Sequence, residues 1–272
     1  MQDLLETDVK NIFDFYRSSV FSISNDLHFW KVFLDSTIEK SYKEDTKRKH
    51  FESIFSVYDL SHNSPDGLLK TYKEVFEISN QNLDGYKKRF FSWIMNLAVV
   101  KIYNSCELLL LRTIQLEYYP SLGNPLESKK NGDKVSNQVK RFLVAVDSRN
   151  NRHLVEFLKR KSILFEEFSR QETRLSSDTN WIQFFEFISI LRHIIVHQGG
   201  IIDKDAFNLI KSVSKKTFED FFNLQEDKNG YNVLEPKDGD YFLNFVNLIN
   251  DFSLNTAKFV LGKRDLAFLD MY

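Results

Sequence analysis

Three side chains that can act on a phosphate ester lie at the end of one apolar segment. Arg192, His193 and His197 follow a run of mostly apolar residues that begins at Trp181. Histidine titrates close to neutral pH, so it can give or take a proton as a general acid or base. Arginine keeps its charge and offers a planar fork of hydrogen-bond donors to phosphate oxygens. Together these residue types suit proton transfer and charge stabilisation without a metal ion.

The spacing leaves other interpretations open. His193 and His197 are four residues apart, which is the spacing that lets two histidines on a helix bind one zinc ion. No Glu lies between them and no third ligand is suggested nearby, so no metal and no other cofactor is expected. His197 can also merely complement the negative end of a helix dipole. Ser189 lies on the same stripe and can hydrogen-bond to His193, but it lacks the sequence context of a nucleophile.

The segment that carries these residues predicts a largely buried helix over 179–197. Apolar residues repeat at helical spacing along it. They are Trp181, Phe184, Phe185, Ile188, Leu191 and Ile195. Gly199 and Gly200 follow and are typical of a helix C-terminus. Arg192 and His197 are separated by about 140° around an ideal helix, so they do not share one face.

The end of this helix resembles the signature of a known superfamily. Arg192-His193-Ile194-Ile195-Val196-His197, before a glycine, is similar to the Arg-x(4–6)-His motif of HEPN proteins. Members commonly have Asn directly after the Arg, and His193 takes that position here. Upstream, the segment 102–112 has an aromatic residue, small residues and then Glu107, as many HEPN chains do. The resemblance covers residues 83–261 and implies an antiparallel helical bundle.

The resemblance implies a metal-independent endoribonuclease. Histidine would take the 2′-hydroxyl proton and protonate the leaving 5′-oxygen, while arginine would neutralise the phosphorane, leaving 2′,3′-cyclic phosphate ends. It implies catalytic roles for Arg192, His193 and His197, and Glu107 as a carboxylate that orients Arg192. It also implies a homodimer whose two motifs line one cleft. RNA is the implied substrate, and a protein that regulates the activity is a further partner compatible with the resemblance. Family members often serve in bacterial defence, stress or toxin–antitoxin systems.

Two other functions stay open at this point. A HEPN-like fold can use the motif without catalysis, to dimerise or to bind RNA or a protein. Alternatively, the chain is a helical protein of unrelated function in which a short motif has arisen by chance. His193 in the place of the usual Asn and the nearly neutral charge both favour the non-catalytic binding module.

The charge balance restricts where RNA can bind. The chain has 37 Lys and Arg against 38 Asp and Glu, so no overall positive field gathers nucleic acid. RNA contacts must therefore come from a local patch. The best candidate is a cluster of cations in and after a predicted loop over 121–133. It consists of Lys129, Lys130, Lys134, Lys140 and Arg141.

Composition indicates an all-α protein. Of 272 residues, 42% are hydrophobic and 26 are Phe, while only 9 are Gly and 4 are Pro, which favours a large core and long helices. The single Cys106 excludes an intramolecular disulfide and is most simply a small buried residue. Because the first residues are acidic and no charge-free run reaches about 20 residues, we expect a cytoplasmic protein without a membrane segment.

The expected elements follow from periodicity and turn signals. Helices are predicted over 3–20, 26–60, 68–78, 83–119, 136–146, 152–170, 179–197, 203–222 and 240–261. Asn-Gly between short apolar flanks predicts one small β-hairpin near 224–234. The Pro-Asp-Gly loop within 61–67 indicates a division into an N-terminal helical segment, 1–80, and a HEPN-like core, 81–272, although one continuous domain is also compatible.

Overall fold

The computed structural model describes residues 2–43, 49–59, 68–78, 80–143, 152–174, 176–226, 230–237 and 239–262. The helices in these ranges are α1 Gln2–Lys43, α2 Asn80–Tyr118, α3 Lys129–Phe142, α4 Arg152–Lys161, α5 Ile163–Ser169, α6 Trp181–Gln198, α7 Lys204–Phe221 and α8 Asp240–Val260. The strands are β1 Lys49–Asp59, β2 Leu68–Ile78, β3 Glu172–Thr173, β4 Ser176–Asn180, β5 Phe222–Glu226 and β6 Asn232–Pro236. The predicted all-α fold with a small hairpin near 224–234 is confirmed.

The strands form antiparallel pairs, β1 with β2, β3 with β4, and β5 with β6. The helix predicted over 26–60, with an interruption around 41–50, is confirmed up to Lys43 by α1. The pairing of β1 with β2 overturns its last part, from Lys49, and the whole helix predicted over 68–78. Leu69, Tyr72 and Phe76 are spaced as on a helix face, but both segments are also rich in aromatic and β-branched residues. In the observed register Phe51 lies opposite Phe76 and Phe55 opposite Tyr72. The predicted loop over 61–67 lies outside the described residues.

Caps correct two other predictions. The expected helix over 152–170 is two helices, because Ser162 accepts a hydrogen bond from Phe165 N and begins α5. Similarly, Ser128 accepts from Asn131 N, so α3 begins at Lys129 within the predicted loop over 121–133. The basic cluster therefore lies on a helix rather than in a loop. This placement fixes the spacing of its side chains.

The chain forms two compact units. The smaller unit comprises residues 28–92, and the larger unit comprises 1–27 and 93–272. This division differs from the expected boundary after residue 80, since α1 and α2 each contribute residues to both units. In the smaller unit Trp30 packs edge-on against Phe33 and Phe90, and Lys87 pairs with Asp35.

Aromatic side chains fill the core of the larger unit. Phe184 and Phe185 of α6 are fully buried, with ring centroids 6.1 Å from Phe245 and 5.2 Å from Phe252 of α8. Trp181 at the start of α6 stacks on Phe168 of α5 at 5.3 Å. Such rings contribute large buried areas, so they anchor α6 along its length.

One described helical segment, Asp84–Tyr118, is long and apolar enough to cross a membrane by length and composition. Its most apolar window is 61% buried inside the protein. A core helix has the same length and composition, so these two properties are weak support for a membrane span.

Candidate functional site

The motif lies on the last turns of α6, and both ends of this helix are capped. Asn180 accepts from Gln183 N and the Gln183 side chain accepts from Asn180 N, which forms a capping box. Gly199 ends the helix with φ 62°, a left-handed conformation that glycine adopts without a Cβ penalty. Gly200 N then donates to Ile194 O at 3.2 Å. These caps and the buried middle of α6 hold the motif at a defined place.

The two motif histidines face solvent side by side. His193 and His197 are exposed, and their ring centroids are 4.7 Å apart. Both rings are therefore accessible to a phosphate or to a partner subunit. Among the described residues, no group of three His, Cys, Asp or Glu lies close enough to hold a metal ion. The pair thus has no third ligand from that part of its own chain.

Arg192 is partly buried. Its Nε is buried and has no hydrogen-bond partner among the described residues. A buried donor without a partner costs about 1–3 kcal/mol, and more when it is charged. Arg192 Nε is therefore a buried donor for which the described residues supply no acceptor.

Short polar contacts tie the end of α6 to α2 and to β6. Asn96 Nδ2 donates to Leu234 O at 3.1 Å, and Leu234 N donates to Gly200 O at 2.8 Å. The Asn96 side chain is buried, and its Oδ1 has no partner within the described chain. Gln198 Oε1 is also buried and has no hydrogen-bond partner within the described chain. Asn96 is not predicted from the sequence, because it lies about 100 residues before the motif and no local pattern signals that it meets the motif end. Gln198 directly follows His197, and only its unpaired oxygen was not expected.

Three exposed apolar side chains belong to the segments that meet at the end of α6. Val196 lies between the two histidines and is 44% exposed. Leu97, next to Asn96, is 46% exposed, and Ile201 just after the helix is 39% exposed. Exposed apolar side chains are typical of the central part of a protein interface, which polar residues surround.

The structure does not bring Glu107 to Arg192. Ser189 Oγ donates to Tyr103 Oη at 3.0 Å, which aligns α2 and α6 at these residues. The two helices run in opposite directions, because Asn96 meets the far end of α6. Glu107 lies four residues beyond Tyr103 on α2, and Arg192 lies three residues beyond Ser189 on α6, in opposite directions from the Tyr103–Ser189 hydrogen bond. At 1.5 Å per residue the two are about 10 Å apart along the helix axes. Ser189 is bonded to Tyr103 instead of His193.

Cys106 is not a reactive thiol. It is fully buried, and this burial raises the pKa of the Cys106 thiol to about 12. A thiol in this state is neither a nucleophile nor a metal ligand at neutral pH. Its expected role as a small apolar core residue agrees with this environment.

The predicted RNA-binding cations are all on the surface of α3. Lys129, Lys130, Lys134, Lys140 and Arg141 are exposed. A contribution from α4 is not predicted from the sequence, although its last turn carries Lys159, Arg160 and Lys161. Together α3 and α4 hold nine cations and two carboxylates. This is a local excess of positive charge in a chain of formal charge −1.

Comparison with protein-family models, with curated proteins and with solved structures finds no match to this chain.

Proposed function

We propose that the chain is a metal-independent endoribonuclease of the HEPN type, acting in the cytoplasm as a homodimer. The observation that carries the proposal is the group of motif side chains at the end of α6. A partly buried guanidinium without a partner at Nε lies next to two exposed histidines. The terminal Nη groups of Arg192 can donate to the oxygens of a bound phosphate.

The proposed reaction needs only these residue types. One histidine takes the proton of a ribose 2′-hydroxyl, and the 2′-oxygen then attacks the neighbouring phosphorus. The bond from phosphorus to the 5′-oxygen breaks, and a second, protonated histidine donates a proton to that oxygen. Arg192 stabilises the charge of the phosphorane. The products carry a 2′,3′-cyclic phosphate and a 5′-hydroxyl.

Dimerisation resolves the angular separation of the motif residues. Arg192 and His197 point about 140° apart around α6, so one chain does not direct both at the same phosphorus. A second copy across the rim of Val196, Leu97 and Ile201 would place its own motif opposite the first. The rim is apolar enough to bury against another copy. His193 and His197 of the two copies then share the acid and base roles.

Cleavage of total RNA by the purified protein in excess EDTA tests the proposal. We expect wild-type cleavage, and a loss of about 10²- to 10⁴-fold in His197→Ala and Arg192→Ala. His28→Ala and Arg89→Ala replace exposed residues of the smaller unit and serve as matched controls. Circular dichroism of each variant checks that folding is kept.

The products distinguish this chemistry from others. Ends with 2′,3′-cyclic phosphate are expected, together with complete resistance of an RNA whose 2′-hydroxyls are replaced by hydrogen. Cleavage that stops in EDTA, or that survives both motif substitutions, contradicts the proposal. A setting in bacterial defence, stress or toxin–antitoxin function is proposed from the resemblance alone. Slowed growth of bacteria that express the wild type but not His197→Ala would support that setting.

A binding module without catalysis is the second candidate. His193 occupies the place of the usual Asn, and the cationic surface of α3 and α4 provides a way to bind RNA that does not use the motif. A wild-type protein that binds RNA but leaves varied RNAs intact would favour this function.

A further inference from the structure

The last turns of α3 and α4 lie side by side. Ser136 Oγ and His153 Nε2 are hydrogen-bonded at 2.9 Å, and further along both helices the rings of Phe142 and Phe157 are 5.3 Å apart. The helices therefore run in the same direction and end together. Lys161 is the final residue of α4, and Phe142 is the final residue of α3. The Nζ of Lys161 lies 4.2 Å from the centre of the Phe142 ring.

This meeting of two helix ends gathers positive charge. Lys140 and Arg141 come from α3, and Lys159, Arg160 and Lys161 come from α4. Lys159 pairs with Glu156 at 3.0 Å, while Lys140, Arg141 and Arg160 have no carboxylate partner among the described residues. Cations in a last turn complement the helix dipole. The cations of the two adjoining helix ends repel one another, however. An anion bound between them would reduce this repulsion and stabilise the arrangement.

Aromatic rings lie at the same place. Phe142 is 43% exposed, although the surface around it is charged. It leans on the fully buried ring of Phe157, and Tyr118 and Tyr119 of α2 lie 5.3 and 5.9 Å from the same ring. Burial, and then the nearby Glu117 carboxylate, raise the pKa of Tyr118 to about 12, so its hydroxyl stays neutral. The buried Phe157 gives Phe142 a rigid support.

We propose that this cation–aromatic surface, formed by Phe142, Tyr118, Tyr119 and the last turns of α3 and α4, binds a single-stranded segment of RNA. In the proposed complex Lys161 leaves the face of the Phe142 ring that it covers in the free protein, and a base stacks there. Arg141, Arg160 and Lys161 then contact the flanking phosphates. Duplex RNA is bound through its backbone and shape, and its paired bases are not free to stack on a protein ring. Exposed rings among cations are typical of single-strand binding. The inference rests on the proposed function for the choice of RNA.

The surface lies far from the motif along α2. Tyr118 belongs to the cation–aromatic surface and Asn96 to the motif end, and the 22 residues between them span about 33 Å at 1.5 Å per residue. One RNA strand advances about 3.4 Å per stacked nucleotide, so about ten nucleotides connect the two places. The substrate is therefore expected to carry a single-stranded flank of about this length beside the cleaved bond.

Binding of a fluorescent single strand of about 12 nucleotides to the full chain tests the proposal. The strand has 2′-O-methyl riboses, so that cleavage does not enter the measurement. We expect Phe142→Ala to weaken binding roughly 5- to 100-fold, and Phe142→Tyr to restore it. The triple variant Arg141→Gln, Arg160→Gln, Lys161→Gln should also lower the slope of log K against log salt by about 2. Lys211→Gln, Lys215→Gln, Lys216→Gln on α7 removes as much charge and should leave binding within about 2-fold.

The alternatives give other results. Wild-type affinity in both Phe142→Ala and the triple variant overturns the inference, as does equal competition by duplex RNA. Binding to anionic vesicles that the triple variant loses and Phe142→Ala keeps also overturns the inference, because it indicates that the surface binds lipid. If these variants lose RNA binding and the wild-type protein does not cleave RNA, this inference stays intact and only the proposed nuclease is contradicted. If the variants bind RNA normally and the wild-type protein cleaves RNA, this inference is contradicted and the proposed nuclease is supported.

Discussion

The two ends of the larger unit differ in the chemistry of their side chains. The motif end carries two exposed histidines and one partly buried arginine within an apolar rim. The end formed by α3 and α4 carries a concentration of cations around an exposed ring, and its histidine, His153, is buried and bonded to Ser136. We propose that proton transfer takes place at the first end and that RNA is attracted to the second. A nearly neutral chain is compatible with this proposal, since attraction of RNA depends on a local patch.

The strongest test of the cation–aromatic end removes its buried support. Phe157→Ala deletes a fully buried ring that contacts Phe142, Tyr118 and Tyr119, so we expect a loss of about 3–5 kcal/mol in the free energy of unfolding. Urea unfolding followed by circular dichroism measures it. Phe142→Ala, at an exposed ring, should cost less than about 1 kcal/mol. Equal losses in the two variants would mean that Phe142 is a core residue rather than a binding surface.

The matching test of the motif end places a charge in its apolar rim. Val196→Asp should prevent dimerisation and reduce cleavage at least about 100-fold, equivalent to about 2.7 kcal/mol, because a charge without a partner is costly at an interface. Binding of the single strand to α3 and α4 should be unchanged. Light scattering gives the mass in solution alongside the cleavage assay. Ile163→Asp is the control, since Ile163 is 75% exposed on α5. A wild-type monomer that cleaves RNA contradicts the composite site.

The sequence predicted the motif end better than the cation–aromatic end for a physical reason. The bounds of α6 follow from apolar periodicity, an N-cap residue and a terminal glycine, all of which are local. The meeting of α3 and α4 depends on how two helices pack, so Lys159, Arg160 and Lys161 read along the chain as a solvated helix end. Contacts between distant residues, such as Asn96 with Leu234, leave no periodic signal for the same reason.

The β1–β2 hairpin shows where even local signals mislead. Residues 68–78 have apolar side chains at spacings compatible with both a helix and a strand. The partner strand decides between them, and β1 is 11 residues long with a register that pairs every residue of β2. The choice therefore depended on a pairing across the chain rather than on the segment itself.

The ends of the helices provide the smallest test of the comparison. α6 stops at Gly199 with φ 62°, whereas α3 stops at Leu143 with φ −91°, which any residue adopts. A Cβ at Gly199 would meet no atom within 4 Å, so Gly199→Ala should cost only the backbone strain, about 1 kcal/mol. Because His197 lies in the turn that this glycine ends, cleavage should also fall a few-fold as the turn frays.

The same substitution in the interior of a helix should have the opposite sign. Gly85 lies within α2, and a Cβ there also meets nothing within 4 Å, so Gly85→Ala should stabilise the protein by roughly 0.5–1 kcal/mol. Thermal unfolding of both variants measures the two effects with identical chemistry. If Gly199→Ala is neutral and cleaves RNA like the wild type, α6 does not need its left-handed end to hold His197. The hydrogen bonds from Asn96 to Leu234 and from Leu234 to Gly200 would then be the features that position the motif.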